Sequence, residues 1–219
     1  MPGRQHFNKA MNEVHQNVLQ MGVLVEESLE KARRAFEEKD LVLAEKVISQ
    51  DHKIDEMQLL LEDRCTILIA TEQPVAADLR VLLTAVKIVS SMERMGDHAV
   101  HLAKTTRRTS QLPNLDRLRT LILPLIVKGN DMVKDMLTAL ANHDAELARK
   151  VAGRDDEIDD LHRELFETLI NFQRENPEYA LQTTDLLFLI RFFERLCDHV
   201  THICEWIVLR ETGEHAELS

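Results

Sequence analysis

Glu93-Arg94-Met95-Gly96-Asp97-His98 recurs as Glu194-Arg195-Leu196-Cys197-Asp198-His199, which marks the chain as two copies of one helical unit. Each copy sets two carboxylates at i and i+4, which on a helix share one face, one turn apart. A second pair precedes each copy: Asp51 with Asp55, and Asp155 with Asp159. Residues 40–55 laid over 144–159 match at Asp40/Asp144, Leu43/Leu147, Ala44/Ala148, Lys46/Lys150, Val47/Val151, Asp51/Asp155, Ile54/Ile158 and Asp55/Asp159. Residues 93–101 laid over 194–202 match at Glu, Arg, Asp and both His. Isolated i,i+4 acids are common on helices; two matched sets at the same relative positions indicate an internal duplication.

The rest of the chain reads as helix. Aromatic residues make up only 4%, with 6 Gly and 5 Pro in 219 residues, while Leu, Ala, Val, Glu and Met abound. Apolar spacing predicts six helices, over 7–38, 41–72, 74–107, 115–142, 145–175 and 178–211. Asp40 and Asp144 suit helix N-caps, Pro74 and Pro177 suit a first helical turn, Asn176 suits a cap before Pro177, and Gly213 suits a C-terminal stop. Pro124 inside the fourth segment predicts a kink or a later start. The polar run Thr105 to Asn114 is the best linker, giving repeats 1–108 and 115–219 with 109–114 between them. The expected fold is all-α: two tandem three-helix bundles, each running up-down-up.

Counting from the turns brings the acids together. With the first turn between Gln73 and Pro74, Asp55 lies 18 residues before it and Glu93 19 after it, while Asp51 and Asp97 lie at 22 and 23. Equal rise of ~1.5 Å per residue in an antiparallel pair puts such partners at one height. About Asn176, Asp159 likewise faces Glu194 and Asp155 faces Asp198. Leu82, Val86 and Val89 lead at helical spacing into Glu93, Gly96, Asp97 and Val100, so the acids interrupt or edge the face turned to the bundle. Converging carboxylates in a partly dry groove repel one another and need cations, protons or arginines. The oxygen-only set Asp51, Asp55, Glu93, Asp97 and its repeat Asp155, Asp159, Glu194, Asp198 suits Mg, Ca, Mn or Fe, does not exclude Zn, and with bridging carboxylates admits more than one ion per site. His101 and His202, each four residues after an Asp, are further candidate ligands. His98 and His199 point about 100° away from the adjacent Asp and are poorer candidates for the same ion.

A formal charge of -11 argues against non-specific binding to nucleic acid or anionic membrane, and against a simple cationic trap for phosphate. Cys65, Cys197 and Cys204 lack finger-like spacing and read as buried free thiols of a reducing compartment. No apolar run reaches the roughly 18 residues of a membrane span, and Met1 to Lys9 lacks the apolar stretch of a signal peptide. A soluble, cytoplasmic protein is expected.

These motifs, the two Asp-x-x-Ile-Asp segments, and Asp78-Leu79-Arg80 early in the third helix resemble the PhoU family of phosphate-signalling proteins over nearly the whole chain. The resemblance implies a six-helix fold of two three-helix bundles and acidic metal-binding motifs, with iron or zinc clusters at the eight carboxylates named above. It implies a non-enzymatic negative regulator of the phosphate-starvation response that modulates the phosphate ABC transporter. The implied partners are the transporter's ATPase subunit and the membrane sensor histidine kinase, which would hold the protein at the periphery of the inner membrane; a homodimer is also admitted. The chain departs from the family at His101 and His202, where Asn is common, at Cys197, where Gly or Ala is usual, and in not repeating Asp-Leu-Arg in its second half.

Two other classes of protein would carry different features. A ferritin-like di-metal oxidase contributes Glu-x-x-His from two helices, and no Glu-x-x-His occurs here. A metal-free helical interaction protein would show the same metal content with and without Asp97 and Asp198. The chain also carries no Gly-rich phosphate loop and no nucleophile elbow.

Overall fold

The computed structural model describes residues 2–218, and among them every regular element is helical. Helix α1 spans Pro2–Glu38, α2 Leu41–Gln50, α3 His52–Glu72 and α4 Ala77–Thr109; α5 spans Asp116–Asn142, α6 Ala145–Ala152, α7 Asp155–Glu175 and α8 Ala180–Thr212. Short 3-10 turns at Pro113–Leu115 and Pro177–Tyr179 precede α5 and α8. The expected second and fifth helices are therefore each broken in two, next to the first carboxylate of each pair. In the first half the break falls at Asp51, where the His52 ring bonds the Ser49 carbonyl at 2.9 Å and competes for a backbone acceptor. In the second half it falls at Gly153 and Arg154, where glycine is a weak helix former and Arg154 N–H turns back to the Val151 carbonyl at 3.1 Å.

Three of the six expected end signals hold, and each holds for a physical reason. Asp40 and Asp144 accept the Leu43 and Leu147 N–H groups at 2.9 Å, closing the first turns of α2 and α6. Gly213 ends α8 at φ 81°. The two prolines behave differently from expectation. Pro74 stays in the connection, and α4 begins only at Ala77, after Gln73 and Ala76 at φ 47° and 46° reverse the chain. Pro177 opens a 3-10 turn, and Asn176 donates to the Phe172 carbonyl at 3.0 Å, so it caps the end of α7 rather than the start of α8. Pro124 lies within α5 and does not end it. The helix starts before it, at Asp116, and Pro124 is exposed.

Each half is a three-helix bundle in which the broken segment, α2 with α3 or α6 with α7, packs against two long helices. Val14, Val18, Met21, Val25, Leu29, Ala32 and Phe36 form the buried stripe of α1, at spacings of three and four. Leu186, Ile190, Phe193, Cys197, Val200, Cys204 and Ile207 do the same in α8. The halves are not separate beads: α4 packs along α8 and α1 along α5, and one continuous apolar core runs through both. Where they join, the buried Arg119 guanidinium donates to the Phe36 carbonyl at 2.8 Å and to Thr109 Oγ1 at 3.3 Å, and stacks 4.6 Å from the Phe36 ring centroid. It thereby satisfies a carbonyl at the end of α1 that no helical N–H reaches.

Candidate metal centres

The bends at Asp51 and Gly153–Arg154 set the first carboxylate of each pair against the long helix that carries Glu-x-x-x-Asp. In the first half this close approach needs Gly96. A Cβ there would stand 3.0 Å from Ile54 Cδ1 and 3.6 Å from Asp51 Oδ1. Asp51 is half-buried, and its carboxyl is pushed up to about 6 by burial first, then by the charges of Asp55 and Asp97. Glu93 is also raised, by burial and then by Asp97, with Asp55 and Asp51 adding to it. The four acids paired by counting thus feel one another as a single cluster.

The second half repeats the arrangement. Burial, then Asp198 and Asp159, push Asp155 up to about 6. Glu194 is raised by burial and then by Asp198, with Asp159 adding. Two differences break the symmetry. Cys197 stands where the first half has Gly96; it is fully buried, and burial together with Asp155, Asp198, Glu194 and Asp159 lifts its thiol well above the ordinary range, which leaves it a poor nucleophile. Glu194 also pairs with Arg191, whereas Glu93 has only the looser Arg94 at 3.6 Å. Arg195 is exposed, as is Arg94.

Among the described residues, no three His, Cys, Asp or Glu side chains converge closely enough to grip one ion as they stand. The donors nevertheless suit a hard cation: each cluster holds four carboxylates, two of them with raised pKa values, and its second members Asp55 and Asp159 are exposed and free to swing. His101 and His202 lie beside the clusters. His101 is held away, stacked on Phe192 at 4.1 Å, and its pKa is lowered by burial; His202 is exposed.

Sequence reasoning passed over the other face of the motif. One residue round from Asp97 and Asp198, His98 and His199 point into the seam between α4 and α8, with ring centroids 5.9 Å apart. The 100° offset already separated them from the acids; what no local pattern gave was that α4 and α8 would pack on each other. Arg119 was missed for the same reason. Arg80 of the Asp-Leu-Arg segment ties the start of α4 to the end of α8 through the Leu209 carbonyl at 3.4 Å.

The fold is a duplicated all-helical bundle with a matched set of carboxylates in each half, and among the described residues no helix is long and apolar enough to cross a membrane. The PhoU domain profile matches residues 18–106 and 125–207, so the chain belongs to the PhoU family. It is 35% identical, over 99% of both chains, to a "phosphate-specific transport system accessory protein PhoU homolog" of Clostridium acetobutylicum. The crystal structure of the phosphate transport system regulatory protein PhoU from Streptococcus pneumoniae matches it with a TM-score of 0.86 at 31% identity, covering 96% of this chain and 99% of that one. The crystal structure of PhoU from Pseudomonas aeruginosa matches with a TM-score of 0.91 at 28% identity, covering 95% and 100%.

Proposed function

We propose that this chain is a non-enzymatic accessory regulator of phosphate uptake. It restrains the phosphate transporter and the phosphate-starvation response when phosphate is ample. The observation that carries this reading is end-to-end similarity to proteins named as accessory or regulatory components of phosphate transport, with both carboxylate clusters placed alike in the two repeats. Its partners are the transporter's ATPase subunit and the sensor histidine kinase, and it works in the cytoplasm against the inner membrane through them.

In this reading Asp51, Asp55, Glu93 and Asp97, with Asp155, Asp159, Glu194 and Asp198, hold divalent or trivalent metal ions, iron or zinc first. Support comes from the mutual repulsion within each cluster, which a bound cation would relieve. The bound metal supplies positive charge on an otherwise acidic surface, for docking an acidic partner or phosphate. Asp55 and Asp159, exposed at the edge of each cluster, would supply the remaining carboxylates.

The test is a phosphate-starvation reporter in a strain lacking its own copy of the gene. Supplying this chain restores repression in ample phosphate, whereas the Glu93→Gln/Glu194→Gln form does not. A reporter that ignores deletion and restoration alike would refute the regulatory reading. Repression by the double variant as strong as wild type would refute the role of the clusters.

A further inference from the structure

The seam between α4 and α8 holds a second constellation of ligating side chains, on the helix face next to the carboxylates. His98 and His199 occupy the same position in the two repeats and face each other across the seam, with centroids 5.9 Å and planes 31° apart. His101 stands 6.3 Å from His98, and His202 stands 6.3 Å from His199, so four imidazoles run in a row across the junction of the halves. His98 is only 8% exposed, and neither of its ring nitrogens has a hydrogen-bond partner among the described residues. A buried polar group left in that state costs on the order of 1–3 kcal/mol, so an unpartnered imidazole in a packed seam calls for a ligand.

We propose that His98 and His199 form a two-imidazole site for a late divalent transition-metal ion, of the Zn2+ or Cu2+ class, that staples the two repeats together. Metal–nitrogen bonds of about 2.0–2.1 Å put two rings on a shared ion with centroids about 5–6.5 Å apart, and the observed spacing falls inside that range. Imidazole nitrogen suits zinc, copper and nickel, whereas the carboxylate clusters offer oxygen alone, so imidazole nitrogen on bound copper distinguishes the seam from them. Phe192 stacks 5.7 Å from His98 and 4.1 Å from His101 and closes one end of the row. The exposed His202 leaves the other end open for ion entry and for water to complete the coordination. Burial first, then the neighbouring imidazoles, hold both rings below the ordinary imidazole range, which keeps them neutral for ligation.

The experiment uses the full chain in a parent form carrying Asp51→Asn, Asp55→Asn, Asp155→Asn and Asp159→Asn, so that the carboxylate clusters are disabled while α4 and α8 are untouched. One equivalent of Cu2+ is added to metal-free protein, and electron paramagnetic resonance reads imidazole nitrogen on the copper. The parent should show two such nitrogens. His98→Leu and His199→Leu, which keep apolar volume in the seam, should each abolish the two-nitrogen signature and weaken Cu2+ binding at least tenfold. His15→Ala, in the separate His15/His143 pair, should leave it unchanged. Absence of imidazole nitrogen in the parent overturns the proposal without recourse to any seam variant. Retention of the signature in either leucine variant also overturns it, as does its loss on His15→Ala.

Discussion

Replacing Asp51 and Asp155 by Asn should make the metal-free protein more stable near neutral pH while removing its response to metal. Each carboxyl is pushed from 3.8 to about 6, with burial as the first cause and neighbouring carboxylates next. At full strength that rise corresponds to about 3 kcal/mol of penalty on the ionised form. Both groups are half-exposed, and solvent screening brings the figure to about 1 kcal/mol each. Asp51 makes no capping hydrogen bond that Asn would forfeit. Asp155 does sit in the first turn of α7, where a negative charge contributes about 0.3–1 kcal/mol that would be lost. The net gain for the double variant is about 1–2 kcal/mol, which for a chain of this size raises Tm by about 3–6 °C.

The pH dependence fixes the cause. A carboxyl with a raised folded-state pKa contributes stability that is complete below its unfolded value of about 3.9 and is lost as pH rises through the folded value near 6. The advantage of the variant should therefore be small at pH 4, open between pH 4 and 6, and stay level above. Thermal unfolding followed by circular dichroism in chelator measures it. Added Fe2+, Zn2+ or Mn2+ should then raise the wild-type Tm, because an ion that binds only the folded state at 100 times its Kd contributes about 2.7 kcal/mol, and should move the variant far less. A variant less stable than wild type at pH 7.5 in chelator, or an advantage that persists undiminished at pH 4, would refute the reasoning.

Three further outcomes follow from single contacts. Arg119→Met should cost about 2–3 kcal/mol in chemical denaturation by stranding the Phe36 carbonyl at the junction of the halves, and a loss below 0.5 kcal/mol would show that the guanidinium is not a tie. Gly96→Val should cost about 1–3 kcal/mol by overpacking Ile54 and forcing Asp51 off α4; unchanged stability would show that the seat of Asp51 has slack. Asp40→Ala and Asp144→Ala should each cost about 1 kcal/mol and add when combined, since the caps lie in different halves and share no partner. Clear non-additivity would mean that the halves are coupled through those ends.

The long helices were legible because they depend on regular spacing. Counting from turns at Gln73 and Asn176 placed the acids on facing helices, and Asp51 and Asp155 do lie close enough to Asp97 and Asp198 to feel their charge. The bends at Asp51 and Gly153–Arg154 were not legible, because the apolar pattern continues through them: Val47, Ile54 and Leu61 are buried on both sides of the first. The starts of α4 and α8 were misjudged because proline was weighed by its fixed φ alone; the reversal at Gln73 and Ala76 takes the residues that Pro74 was expected to give to the helix. The histidine seam and Arg119 depend on which long helices meet between repeats, and periodicity within one helix holds no information about that choice.

The central claim, that the two carboxylate clusters hold metal, is tested most directly by elemental analysis of untagged protein purified without chelator, beside an Asp97→Asn/Asp198→Asn form. The wild type should carry at least one iron, zinc or manganese ion per half, and the double variant should lose it. Wild-type protein without metal, or a double variant holding as much of it as wild type, would contradict the claim.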